Sequence, residues 1–241
     1  MDASQIIIAY VIVTLGAVCQ SSIGMGFGLV TAPILLMLNP AFVPITIMLA
    51  SLMLSPLIIR RDRTAINFSG IGLALVGRLF GALIAAAILV FLPKSMFPII
   101  IGSMLLLGVM LSLLKTSWNP TPPSLFGAGI LSGIMGTLAG TGGPPMGLLY
   151  QHQKGPAVRG TLAGFLGVGA VISLLSLLLV GKCTFHELRL FLLIVPAILL
   201  GFVLSRFTIH NLDKGYTRMA ILAVSALSGI VVIIKSLMTG M

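Results

Sequence analysis

Three features predict that this chain is an all-α integral membrane protein built from two pseudo-symmetric repeats. Its 241 residues carry 14 Lys and Arg but only 4 Asp and Glu, so 7% are charged, while 58% are hydrophobic. A soluble domain carries about 25% charged residues, and this chain has too few to cover a folded surface. The apolar residues come in runs long enough to span a bilayer, and segments broken by glycine and proline recur at corresponding places in the two halves. A secreted disulfide scaffold and an ordinary cytosolic enzyme are excluded. So is a nucleic-acid binder, despite the net charge of +10. The basic residues fall in ones and twos between apolar runs, where they orient a membrane protein and build no phosphate-binding stripe.

A spanning helix needs about 20 mainly apolar residues. The amino terminus, Met1-Asp2-Ala3-Ser4, has no basic leader region, so the first apolar stretch is expected to stay in the mature fold. Residues 3–59 contain no charged residue or histidine. That is far more than one span, and it is interrupted by Gly24, Gly26, Gly28, Pro33, Asn39-Pro40 and Pro44 before it closes at Arg60-Arg61-Asp62-Arg63. Spans follow at about 68–92 and 96–114, and a polar linker, 116–123, separates a first repeat (1–115) from a second (124–241). The second repeat opens with a glycine-broken segment at 124–150 and continues with spans at about 160–180, 188–206 and 217–234. Cys19 and Cys183 lack the spacing of a redox or zinc motif and read as packing residues.

Gly24, Gly28 and Pro33 match Gly136, Gly140 and Pro145 at an offset of 112. Pro40-Ala41 matches Pro156-Ala157 at 116, and Gly81, Leu92 and Lys94 match Gly201, Leu212 and Lys214 at 120. The common order points to tandem duplication with small insertions in the second half. Two topologies follow. If each broken segment crosses the membrane once, the 13 loop charges divide seven to six and obey no rule. If each turns back as a hairpin, Arg60, Arg61, Arg63, Lys115, Lys154, Arg159, Arg206, Lys214 and Arg218 share one face, against Lys94, Lys182, Arg189 and Lys235. The second arrangement obeys the positive-inside rule. It leaves three full crossings per half, inverts the halves and puts both termini outside. Charge alone favours hairpins over single broken helices without deciding between them.

The first break reads Cys19-Gln20-Ser21-Ser22-Ile23-Gly24-Met25-Gly26-Phe27-Gly28-Leu29-Val30-Thr31-Ala32-Pro33, and the second Gly136-Thr137-Leu138-Ala139-Gly140-Thr141-Gly142-Gly143-Pro144-Pro145. Non-helical backbone at membrane depth must be buried in protein or line a wet cavity. Glycine lets a ligand approach the backbone, and the half-helix that follows a break presents free N–H groups and a positive dipole end to an anion. Glycine at this spacing also serves close helix packing. Two runs in matched places, each with hydroxyl residues and a proline, favour a binding site. The candidate substrate-binding residues are Gln20, Ser21, Ser22, Gly24, Gly26, Gly28, Thr31, Gly136, Thr137, Gly140, Thr141, Gly142 and Gly143, with Pro33, Pro144 and Pro145 as hinges at the start of the following half-helices.

With these two glycine-rich segments at the head of duplicated halves, the chain resembles the sulfite exporter TauE/SafE family of membrane permeases along nearly its whole length. The family's usual run, GxGGG followed by a short spacer and proline, is met in part by Gly140-Thr141-Gly142-Gly143-Pro144, whereas the first run reads Gly24-Met25-Gly26-Phe27-Gly28. The resemblance implies a secondary transporter, expected to be an exporter, of small sulfur-containing or carboxylated anions such as sulfite, thiosulfate or sulfonates. It would sit in the cytoplasmic (inner) membrane. The residues themselves argue only for a small anion.

Arg78 joins the candidates because it is the one charge well inside a span, where it must face protein or a wet cavity. Its counterpart at the offset of 120 is Ile198. Asp2, Asp62, Glu187 and Asp213 fall at ends or loops, so no buried acid relays protons. Export of one negative charge is already favoured by about 2.3 kcal/mol per 100 mV, inside negative. Sodium coupling and homo-oligomer formation stay open. His152, His186 and His210 lie at span boundaries, HExxH and GxSxG are absent, and no cofactor or metal is implied. The chain therefore reads as a transporter and not an enzyme. A membrane scaffold without substrate is the alternative.

Overall fold

A computed structural model describes residues 2–63, 70–114, 119–151, 155–212 and 216–239, with side chains described except at 94, 209–212, 216–221, 224 and 239. Lys115 and 116–118 of the linker, His152, Lys154, Asp213 and Lys214 lie outside the described residues, as do the side chains of Lys94, His210 and Arg218.

Ten α-helices make up the described fold: α1 (Ala3–Ile23), α2 (Phe27–Leu38), α3 (Ile45–Asp62), α4 (Ile71–Phe91), α5 (Phe97–Leu113), α6 (Pro122–Ala139), α7 (Gly143–Leu149), α8 (Gly155–Leu179), α9 (Phe185–Leu212) and α10 (Tyr216–Thr239). The ends follow local chemistry. Asp2 precedes α1, and its N–H donates to Gln5 Oε1 at 3.1 Å; Thr121 caps α6 in the same way, its N–H donating to Ser124 Oγ at 2.9 Å. Six helices are long and apolar enough to cross a membrane, while α2, α5 and the Ser225–Met238 part of α10 are shorter apolar helices. Their outward faces carry large apolar side chains, among them Leu79, Phe80 and Leu83 on α4, which suits lipid contact. The chain is a multi-pass membrane protein.

Both broken segments fold back on themselves. A Cβ on Gly16 of α1 would lie 2.5 Å from Thr31 Cγ2 of α2, although a straight continuation would hold those residues about 20 Å apart at 1.5 Å per residue. In the second segment Ser132 Oγ, on α6, donates to the carbonyl of Gly142, beyond the break. The ends of the crossings agree. Arg159 at the start of α8 pairs with Asp62 at the end of α3, Nε to Oδ2 at 3.1 Å, and Arg61 donates to Ser205 near the end of α9 at 3.0 Å. One crossing per break would have put Asp62 and Arg159 on opposite faces. The hairpin arrangement puts Arg60, Arg61, Arg63, Arg159 and Arg206 on one basic face.

Each half packs its hairpin on the other half's helices. Helix α1 lies on α9, and α6 on α4; α3 meets α8 and α5 meets α10; α2 touches α10 as α7 touches α5. The sequence match of Gly81 with Gly201 acquires a cause here. A Cβ on Gly81 would lie 2.1 Å from the Ile130 carbonyl oxygen of α6, and one on Gly201 2.5 Å from the Thr14 carbonyl oxygen of α1. Each glycine lets its helix touch the backbone of the other half's hairpin arm.

Cys183, half-buried in the α8–α9 turn, donates its thiol to the Leu174 carbonyl. Burial and then the nearby Glu187 push its pKa up, so little thiolate forms near neutral pH. Cys19 is buried in α1. A membrane-impermeant maleimide applied to the non-basic face should therefore label only Cys183, slowly at pH 7 and faster as the pH rises. Labelling from the cytoplasmic side alone would reverse the orientation.

Candidate functional site

Gly24 ends α1 at φ +93° and Gly140 ends α6 at φ +71°, left-handed values that a residue with a Cβ adopts only with strain. Their N–H groups close the helices on Gln20 O and Gly136 O, each at 2.8 Å. Gly26, at φ +110°, then starts α2 without a side-chain cap. Helix geometry leaves the N–H groups of Phe27, Gly28 and Leu29 without intrahelical acceptors. The second half-helix is poorer in donors, because two of its first three residues are Pro144 and Pro145.

The two turns meet. A Cβ on Gly28 would lie 2.2 Å from the Gly140 carbonyl oxygen and 3.0 Å from Thr141 Cγ2. Beside this contact is a small cavity of about 20 Å³, room for a water-sized group, lined by Gln20, Gly26, Gly28, Leu29, Ser51, Gly140, Thr141, Gly142, Gly143, Pro144 and Leu166. Gln20 Nε2 donates to Ser51 Oγ at 3.1 Å across it. The Thr141 hydroxyl is buried and has no protein partner. An orphaned buried hydroxyl costs roughly 1–3 kcal/mol, which a ligand or water in the cavity would recover.

Arg78 lies directly behind the second turn. It is 3% exposed, donates to Ser132 Oγ at 2.8 Å, and stacks over the Phe165 ring at 5.0 Å; its Nε has no partner. A Cβ on Gly142 would lie 2.9 Å from Arg78 Nη1, so the guanidinium is one residue away from the cavity. Ser132 links the two, accepting from Arg78 and donating to the Gly142 carbonyl. Among the described residues no carboxylate pairs with Arg78. The surroundings are net positive and rich in donors, which suits an anion.

The other sequence candidates do not line this cavity. Thr31 Oγ1 donates to Phe27 O at 2.7 Å within α2, and Thr137 Oγ1 to Ser173 Oγ at 2.9 Å. Gly136 packs against the Arg78 guanidinium, and Gly24 against the Arg159 backbone. Ser21 and Ser22 present their carbonyls to Arg61 and Arg159. Pro33 is the seventh residue of α2, not its start, because the break closes at Gly26; Pro144 and Pro145 do occupy the first turn of α7. Sequence reasoning missed Ser51 and Ser132, hydroxyls inside apolar spans that nothing in the pattern distinguishes from others there.

Residues 8–232 match the family model described as Sulfite exporter TauE/SafE. No curated protein and no solved structure matches the chain. The family match covers almost all of the ten-helix fold, so the chain belongs to the sulfite exporter TauE/SafE family of membrane transporters.

Proposed function

We propose that the chain exports a small sulfur-containing anion, such as sulfite, thiosulfate or an organosulfonate, across the cytoplasmic membrane by alternating access. The reading rests on one observation above all: at the contact of the two hairpin turns, an unpartnered Thr141 hydroxyl and the uncapped N-terminus of α2 border one cavity, with the Arg78 charge, unpaired by any carboxylate among the described residues, one residue behind it. The anion would accept from the α2 N–H groups and Thr141, with Arg78 supplying counter-charge through the thin glycine wall. The repeats 1–115 and 124–241 are proposed as inverted copies, which accounts for the exchange of packing partners between them. Because each hairpin is packed on the opposite half, the bodies that move would be composites of both halves.

The test is anion flux in proteoliposomes at set potentials. Sulfite, thiosulfate, a sulfonate and a carboxylate are compared with and without sodium or proton gradients. Flux of one of the sulfur anions that rises with potential is expected, since each net negative charge moved gains about 2.3 kcal/mol per 100 mV. Folded protein that carries none of these anions would support the scaffold reading instead.

A further inference from the structure

A second polar cluster lies on the basic face, away from the cavity. The Asp62 carboxylate is held by both Arg159 and Arg61: Arg159 Nε reaches Oδ2 at 3.1 Å and Nη2 reaches Oδ1 at 3.4 Å, while Arg61 Nη2 reaches Oδ2 at 3.3 Å. The same guanidiniums donate to the last turn of α1, Arg61 to the Ser21 carbonyl and Arg159 to that of Ser22 at 3.5 Å. Arg61 and Arg206 both stack on the Phe202 ring, at 5.5 and 5.9 Å. One carboxylate thus faces two guanidiniums, with a third on the same Phe202 ring as Arg61, and the cluster keeps a positive excess. A second observation is independent of the charges. The Ser21 and Ser22 hydroxyls, 0% and 4% exposed as residues, have no hydrogen-bond partner.

Two buried donors without acceptors, next to guanidiniums already gripping a bidentate carboxylate, make a place for an oxyanion. We propose that Arg61, Arg159, Ser21 and Ser22 form a loading site for a small divalent oxyanion on the basic face. Asp62 occupies the guanidiniums while no anion is bound. The proposal deepens the anion-exporter reading and rests on it for the identity of the cargo. A sulfur oxyanion presents the same two-oxygen edge as a carboxylate, so it can take over the Arg159 fork from Asp62. The loading site also touches the transport cavity's frame, because Gly24 packs on the Arg159 backbone and Gln20 adjoins Ser21.

The probe is sulfate, and the readout is sulfate-dependent thermal stabilisation of the purified chain at constant ionic strength. Asp62→Asn removes the internal competitor and is expected to tighten sulfate binding on the order of tenfold, and Arg159→Gln to weaken it by a similar factor. Unchanged or weaker sulfate binding in folded Asp62→Asn overturns the proposal, since a purely structural carboxylate gives that result. If Asp62→Asn does not fold, Ser22→Cys in a Cys19→Ala, Cys183→Ser background takes its place. Bound sulfate covers that thiol and disfavours its thiolate, so alkylation should run at least severalfold slower in sulfate than in chloride, and equal rates overturn the proposal. The same phosphate-like chemistry occurs in lipid headgroups. Equal sulfate affinity in phosphatidylglycerol and phosphatidylcholine nanodiscs supports a free ion, whereas its loss in phosphatidylglycerol alone assigns the guanidiniums to lipid. None of these measurements requires flux, so they stand or fall separately from the exporter reading.

Discussion

Gly28→Ala is expected to abolish anion flux while Gly127→Ala and Gly164→Ala leave it intact. The added methyl at Gly28 would lie 2.2 Å from the Gly140 carbonyl oxygen and 2.9 Å from its carbon. That carbonyl belongs to a left-handed cap and cannot rotate aside as a side chain would. The two turns must separate, at an overpacking cost of about 1–3 kcal/mol. Separation moves the α2 N-terminus relative to Thr141, and 2.8 kcal/mol lost from the bound anion is about a hundredfold in affinity. At Gly127 and Gly164 a Cβ meets nothing within 4 Å, so alanine there should be neutral or stabilising by up to about 1 kcal/mol. Flux per folded transporter, with folding checked by size-exclusion and thermal melting, separates the outcomes. Normal flux in Gly28→Ala would remove the contact of the turns from the transport pathway.

Arg78→Met is expected to leave the protein at least as stable as before and to remove most of its transport. Arg78 is buried with one hydroxyl partner, an unpartnered Nε and no carboxylate among the described residues. A buried charge with so little compensation is costly, and an apolar chain of similar length retains the packing on Phe165. The functional effect has the opposite sign. A unit charge about 8 Å from a bound anion contributes about 2 kcal/mol at an effective dielectric of 20, roughly thirtyfold in affinity. Arg78→Lys keeps the charge but loses the guanidinium fork, so its flux should fall between the two. A melting temperature that falls together with flux would make Arg78 a structural residue.

The fold was legible where a residue type conflicts with its surroundings. Glycine runs inside apolar stretches mark the turns, and a lone arginine in a span marks the charge behind the second turn, because lipid tolerates neither without a reason. The charge pattern left the hairpin open, since seven against six and nine against four are both compatible with 13 charges. The Asp62–Arg159 pair, 97 residues apart in sequence, carries the missing information, and no local pattern contains it. Ser21 and Ser22 illustrate another limit. They adjoin Gln20, yet Gln20 lines the cavity whereas the Ser21 and Ser22 carbonyls are taken by Arg61 and Arg159 on the basic face. Ser51 and Ser132 were illegible because a hydroxyl in a membrane helix can bond its own backbone, as Ser55 does to Ser51 O at 2.8 Å.

The exchange of partners between halves also constrains how the chain can be made. Tyr10 of α1 donates to the Leu193 carbonyl and Thr14 to that of Ala197, partners 183 residues further along the chain. At about 5–20 residues per second, the ribosome supplies them roughly 10–40 s after α1 itself. Through that interval α1 must wait in the bilayer with its Tyr and Thr hydroxyls and its close-packing face uncovered, while α2 to α8 insert around it. A first half released early would keep those groups exposed to lipid. Truncated nascent chains ending before Phe185 should therefore be captured by membrane insertion factors and quality-control proteases, and chains carrying α9 should escape both.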